Sequence, residues 1–157
     1  MNWCMAYLTA VTVAAGFGAQ PLGIRLSTSV RKESGSFLVL LDSSSGKAPA
    51  ALQCDLAVPP AVTVTLRDIQ LGSAAAAADK ALTCAAGKGS AAMVRYTCIL
   101  AGGHKPIADG PILVIRYVPQ KEAGGAPVRI GIEKVLGVSA DGTPIQAPDS
   151  EAILRIP

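Results

Sequence analysis

The residues best suited to chemistry in this sequence are its cysteines and its one histidine. Cys54, Cys84 and Cys98 follow a fourth cysteine near the start of the chain, and His104 is the only histidine. A cysteine nucleophile needs a base within hydrogen-bond reach and a lowered thiol pKa. His104 lies in a glycine-rich loop beside a lysine, which is typical of a solvated side chain. Without a Cys-x-x-Cys pair or a second histidine, the sequence predicts neither a catalytic thiol nor a zinc site.

The carboxylates offer no better catalytic pattern. Glycoside hydrolysis needs two carboxylates held across a cleft, but the candidates lie in turns or on strands without recognisable pairing: Asp55, Asp68, Asp109, Glu133 and Asp141. No nucleophile elbow, phosphate loop or dinucleotide fingerprint is present in the sequence. The net charge of +3 is scattered rather than clustered, which argues against nucleic-acid binding. We therefore expect a protein that is not an enzyme and uses no cofactor.

Two of the cysteines occupy neighbouring segments of strand type. Cys84 ends the segment Lys80-Ala-Leu-Thr-Cys84, and Cys98 ends Arg95-Tyr-Thr-Cys98 after a glycine-rich turn. If both segments are strands, both sulfurs face the apolar side. We predict a disulfide between them, which would stabilise the fold by roughly 3 kcal/mol, with two buried free thiols as the alternative. Cys54 also lies on an inward face, and we interpret it as a small core residue.

The elements that position these residues are predicted from a period of two. Apolar residues alternate with polar ones in many short segments separated by turn-forming Gly, Pro, Ser and Asp, which is the pattern of strands with one buried face. The exception is the alanine-rich stretch 73–80, which can form a turn or two of helix. We therefore predict one all-β domain over residues 22–157, an antiparallel β-sandwich of jelly-roll topology with about nine strands.

The N-terminus has a different composition. Residues 3–19 are uncharged, apolar or small, and end in small residues, which predicts a helical signal peptide over residues 1–19. A retained membrane anchor and a buried helix of the domain are the alternatives. Export would place the mature chain in the extracellular space, at the cell surface or in the periplasm, where disulfides persist. Contact with a membrane is expected only through an uncleaved N-terminal segment.

One later segment suggests a contact surface. Residues 111–118 are apolar on both faces except at Arg116, so they form either a central strand covered on both sides or a strand whose outer face meets a partner. The candidate binding residues are Leu113, Ile115 and Tyr117 of this strand, together with Arg95 and Arg116. Because Phe37 and Tyr96 fall on presumed core faces, Tyr117 is the one ring available to stack on a sugar.

The order of segments also resembles a known family. The residues concerned are Ser36–Leu41, Ala51–Leu56, Ile107–Tyr117, Val128–Ile132, Val138–Ile145 and Ala152–Ile156, with the two cysteine segments in the middle. They are similar to bacterial cohesin domains, especially solitary cohesin-like domains of exported proteins. The resemblance implies a nine-stranded jelly roll with one sheet face that meets a dockerin-like protein. Protein attachment is thus the expected function, with binding of a polysaccharide as the alternative.

Overall fold

Strands with alternating apolar side chains account for most of the structure, a computed structural model that describes residues 24–31, 35–44, 46–121 and 125–156. The predicted signal peptide lies outside these residues. The strands are β1 (Arg25–Arg31), β2 (Ser36–Asp42), β3 (Pro49–Val58), β4 (Val62–Thr63), β5 (Ile69–Leu71), β6 (Ala81–Ala86), β7 (Val94–Ala101), β8 (Gly110–Arg116), β9 (Val118–Pro119), β10 (Pro127–Ser139), β11 (Pro144–Gln146) and β12 (Ser150–Arg155). A 3-10 helix spans Leu66–Asp68, and the alanine-rich stretch contains α1 (Ser73–Ala77).

Two sheets form the body of the molecule. One has the order β1-β2-β8-β5, and the other has the order β11-β10-β3-β7-β6, with β12 also paired to β10. A third, small sheet consists of β4 and β9. Every strand pairing in the described part of the chain is antiparallel. The predicted all-β, antiparallel sandwich is therefore confirmed.

The core lies between the two larger sheets. It is almost entirely aliphatic, and its largest fully buried side chains include Phe37, Leu56, Ile115, Ile130 and Leu154. Strand β8 lies between β2 and β5, so the apolar segment that begins at residue 111 is a central strand. Burial of these side chains is the main stabilising contribution, roughly 1.5–3 kcal/mol for each large aliphatic residue.

A β-bulge divides β10 into two halves. Glu133 pairs with Asp55 and Leu136 pairs with Gln53, so β10 contains one residue more than β3 between these two pairs. The additional residue is Lys134, whose φ of 51° is in the left-handed region. Its backbone N–H donates to Asp149 Oδ1 at 2.9 Å. Because side chains alternate along a strand, the inserted residue exchanges the inward and outward positions beyond it.

The predicted disulfide is present between two adjacent strands. Cys84 of β6 lies directly opposite Cys98 of β7, and the two residues are joined with a Cα–Cα distance of 4.1 Å. Cys54 is buried and is the free cysteine of the described residues. On the same inward side, the Tyr96 hydroxyl donates to the carbonyl oxygen of Val64 at 2.7 Å. The disulfide joins β7 to β6, the terminal strand of the sheet, and the hydrogen bond joins β7 to the loop after β4.

We expect the substitution Cys98→Ser to lower the free energy of unfolding by about 3 kcal/mol, because the bridge that closes the interval from Cys84 no longer restricts the unfolded chain. Urea unfolding under non-reducing conditions measures the difference. Reductant should destabilise the wild-type protein by a similar amount and leave Cys98→Ser unchanged. A loss below 1 kcal/mol in the variant would contradict this role for the disulfide.

Candidate binding face

The outward side chains of the six-stranded sheet form a continuous surface across its central strands. Antiparallel register places them in rows that run from strand to strand. We call this surface the six-stranded face and define it by Gln53, Asp55, Thr83, Arg95, Thr97, Ile99, Glu133 and Leu136. Each of the four strands that contribute to it also supplies inward side chains to the core, so the backbone beneath the face is held in place.

One row of the six-stranded face is apolar at two points. Ile99 on β7 and Leu136 on β10 both lie opposite Gln53 of β3. Their exposed fractions are 41% and 47%. Since neighbouring strands are about 4.8 Å apart, the two residues lie about 10 Å from one another, on either side of the glutamine. This spacing suits a partner surface that covers both side chains at once.

The next row contains a carboxylate held by its neighbours. Thr97 Oγ1 donates to Asp55 Oδ1 at 2.7 Å. Lys134 Nζ, from the bulge, lies 3.5 Å from Asp55 Oδ2. The Asp55 side chain is only 13% exposed, so its charge is fixed in position rather than freely solvated. A fixed charge loses little entropy when a partner binds to it.

An ion pair borders this carboxylate on the same face. The Arg95 guanidinium donates from NH1 to Glu133 Oε2, and both side chains are partly exposed. The hydrogen bond that Arg95 donates to Glu133, assisted by the negative charge of that carboxylate, raises the pKa of Arg95 above its usual value. Arg95 therefore stays charged at every physiological pH, with its orientation set by Glu133. The face thus carries two pairs of opposite charges near the apolar row, Arg95 with Glu133 and Lys134 with Asp55.

The structure separates the residues that the sequence proposed as a binding surface. Leu113 and Ile115 are 1% and 0% exposed. Both point from β8 into the core, so the expectation that they contact a partner is corrected. Tyr117 is half-buried and packs against Phe37, with the ring centroids 6.4 Å apart.

The two arginines of that set lie on opposite outer surfaces. Arg95 belongs to the six-stranded face through β7, whereas Arg116 is exposed on β8 of the four-stranded sheet. They do not form one site. The four-stranded sheet therefore contributes its predicted residues to the core or to a separate surface, and only Arg95 of the predicted set lies on the six-stranded face.

The sequence pattern did not identify two residues of the face, Ile99 and Leu136, and the reason differs between them. Ile99 lies between the inward residues Cys98 and Leu100, so strict alternation could have placed it outside. Leu136 could not be placed in this way, because alternation continued from Val128 assigns it to the core. Only the bulge at Lys134, which leaves no clear local signal in the sequence, turns Leu136 outward.

The remaining candidate groups have no catalytic geometry. Burial, reinforced by the negative charge of Asp55, raises the pKa of the Cys54 thiol to about 12. A thiol with that pKa is almost entirely protonated at neutral pH and is a poor nucleophile. His104 is exposed in its loop.

Within the described ranges, no three His, Cys, Asp or Glu side chains are grouped as metal ligands. Those residues also contain no helix with the length and apolar character needed to span a bilayer.

Solved structures similar in fold to this chain include several cohesins. A non-cellulosomal cohesin from the archaeon Archaeoglobus fulgidus superimposes with a TM-score of 0.55 and 9% identity, over 83% of this chain and 89% of that one. A cohesin module of a family 33 glycoside hydrolase from Clostridium perfringens gives 0.56 and 10%, over 84% and 96%. A cohesin in a type I cohesin–dockerin complex from Clostridium thermocellum gives 0.53 and 11%, over 84% and 92%.

The chain therefore has a cohesin-like fold, as its segment order suggested. This likeness is one of structure, since the identities are close to one residue in ten. No protein-family model matches the sequence. No curated protein shows significant sequence similarity to it.

The structure predicts that the apolar side chains of the face contribute little to folding. Ile99→Ala should cost less than about 1 kcal/mol, because the side chain is already partly in water. Leu100→Ala, the adjacent and buried position, should cost about 2–5 kcal/mol because it leaves a cavity. Urea unfolding of both variants measures the contrast. Equal losses at the two positions would show that Ile99 is packed in the protein and unavailable to a partner.

Proposed function

We propose that this chain is a non-catalytic binding module that holds a protein partner against the six-stranded face. Its cohesin-like fold supports the proposal, because one of the solved cohesins with this fold is part of a cohesin–dockerin complex. The observation that carries the proposal is the exposed pair Ile99 and Leu136, aligned across one row of a rigid sheet. We infer a dockerin-like or cell-surface protein as the partner.

The chemistry of the face is that of a protein interface. Such interfaces combine an apolar centre with a polar rim, and arginine is enriched in them. Here the apolar row is flanked by the ion pair of Arg95 and Glu133 and by the carboxylate of Asp55. These charges are held by intramolecular bonds, so a partner with complementary charges would meet them already oriented. The partner is expected to present an apolar patch with both basic and acidic groups around it.

Polysaccharide binding is the alternative, and it has less support. An open sheet face that binds sugar uses exposed aromatic rings as a stacking platform. Of the aromatic residues that the structure describes, Phe37 and Tyr96 are buried and Tyr117 is half-buried against Phe37. None of the three belongs to the six-stranded face.

The proposed setting of this function is outside the cell. The disulfide between Cys84 and Cys98 is a bond that persists in oxidising compartments and is rare in the cytosol. The apolar residues 3–19 have the composition of a signal peptide. Both features support an exported module that attaches proteins to one another at the cell surface or in a secreted assembly.

The proposal predicts that a double substitution, Ile99→Asp with Leu136→Asp, abolishes partner binding without unfolding the chain. The partner is first isolated from secreted extract on the immobilised chain and identified, and its affinity is then measured with purified components. We expect at least about 30-fold weaker binding, since losing one interface hot spot costs about 2 kcal/mol or more. Unfolding and circular dichroism should remain like those of the wild-type protein.

Val118→Asp is the matched control, because Val118 is an exposed apolar residue on β9, away from the six-stranded face. This variant should bind the partner normally. Retention on insoluble polysaccharide is measured in parallel for the wild-type chain, the double variant and Tyr117→Ala. If retention is lost in Tyr117→Ala alone, or if the double variant binds its protein partner normally, the proposed face is wrong.

A further inference from the structure

Three sulfur atoms lie in one row beneath the six-stranded face. Cys98 of β7 is the register partner of Cys84 on β6 and also of Cys54 on β3. All three belong to the core or pack against it. Cys98 therefore has a cysteine directly beside it on each neighbouring strand, although it is bonded only to Cys84.

The backbone hydrogen bonds distinguish the two neighbours. The N–H of Gly87 donates to the carbonyl oxygen of Arg95 at 2.8 Å, which makes the odd-numbered positions of β6 the hydrogen-bonded ones. Cys84 and Cys98 are consequently a non-hydrogen-bonded pair, the type with the closer side chains. The backbone groups of Cys98 then point toward Cys54, as in a hydrogen-bonded pair with Cα atoms about 5.5 Å apart. That separation is still within the normal span of a disulfide.

We propose that Cys54 is a second disulfide partner of Cys98, and that thiol–disulfide exchange moves the bond from Cys84 to Cys54. The Cys54 sulfur, as thiolate, attacks the sulfur of Cys98. A Cys54–Cys98 bond forms, the Cys84–Cys98 bond breaks, and Cys84 leaves as a thiolate that takes up the proton given up by Cys54. The exchange needs no oxidant or reductant. The attacking and leaving cysteines belong to the two strands on opposite sides of β7, an order that suits in-line displacement at the Cys98 sulfur.

The same geometry determines which bond predominates and how fast it moves. The bond to Cys84 is the resting one, since the non-hydrogen-bonded pair brings its side chains closer together. Because burial raises the pKa of the Cys54 thiol to about 12, its thiolate is scarce and the exchange is slow at neutral pH.

Exchange changes which sulfur is reachable from outside. Before it, the free thiol is that of Cys54, buried in the core. Afterwards the free thiol is that of Cys84, which is only partly buried and belongs to β6, the terminal strand of the sheet. The Cys84 thiolate can then attack the disulfide of an external molecule, which forms a mixed disulfide at Cys84 and releases the other half of that molecule as a thiol. This inference uses the inner side of the sheet and is independent of the proposed partner face.

Two single variants test the proposal, since each leaves two of the three cysteines in this row. Each purified protein is equilibrated in a buffer of reduced and oxidised glutathione, quenched with acid, alkylated and digested with trypsin. The three cysteines of the row fall in separate peptides, 48–67, 81–88 and 96–116, none of which contains Cys4. Cys84→Ser should form the Cys54–Cys98 bond in most molecules, seen as linked peptides 48–67 and 96–116. Cys98→Ser is the control and should form no internal bond, because Cys54 and Cys84 are two strands, or about 10 Å, apart.

Stability and the wild-type chain provide further readouts. Oxidised Cys84→Ser should unfold at higher urea than Cys98→Ser, and reductant should remove this difference. In the wild-type chain, a trace of glutathione should yield a minor species with the Cys54–Cys98 bond and an alkylated Cys84, absent from Cys54→Ser. The proposal is overturned if folded Cys84→Ser keeps both thiols free, or if the wild-type chain never yields that linked pair. Should Cys84→Ser fail to fold, the wild-type experiment alone decides.

Discussion

The pairing of β3 with β7 on one side and β10 on the other is the constraint on which the rest of the structure depends. Leu52, Cys54 and Leu56 point inward from β3 and are buried by the opposite sheet. A shift of one residue in either register would turn all three toward water. Each buried leucine contributes roughly 1.5–3 kcal/mol, so the register is held by several such contributions at once.

This register also places the charged side chains on the outer side of these strands and the cysteine side chains on their inner side. Asp55 follows Cys54 directly in β3, yet its carboxylate accepts a hydrogen bond from Thr97 on the outer surface, while the thiol lies in the core. The outer side offers charges and exposed aliphatic groups to a partner. The inner side holds three sulfurs, and the free thiol among them, that of Cys54, is buried and weakly nucleophilic because its pKa is raised. The proposed partner binding and the proposed sulfur exchange therefore use side chains on opposite sides of the same strands.

The local sequence pattern predicted those features of the fold that depend on local pattern alone. Period-two alternation predicted the antiparallel sandwich, and the inward positions of Cys84 and Cys98 allowed their disulfide. It failed in β8, because a strand that is apolar on both faces gives no indication of which face is the core. Leu113 and Ile115 were placed outside for that reason. The separation of Arg95 from Arg116 depends on which sheet each strand joins, and long-range pairing of that kind has no local sequence signal.

The bulge at Lys134 shows how one residue outside the regular pattern can change which side chains a strand presents to solvent. It leaves the half of β10 before it with even-numbered residues inward, such as Ile130 and Ile132, and sets Val135 inward beyond it. Leu136 is thereby turned to the outside in line with Ile99, and Lys134 itself comes within reach of Asp55. The left-handed backbone at Lys134 is unfavourable for a residue with a side chain, and a hydrogen bond to Asp149 offsets part of that cost. A strictly alternating β10 would need no left-handed residue, but it would turn Lys134 and Leu136 toward the core and Val135 outward. Irregularity in this strand therefore keeps the charge of Lys134 out of the core and places Leu136 in line with Ile99, with Gln53 between them.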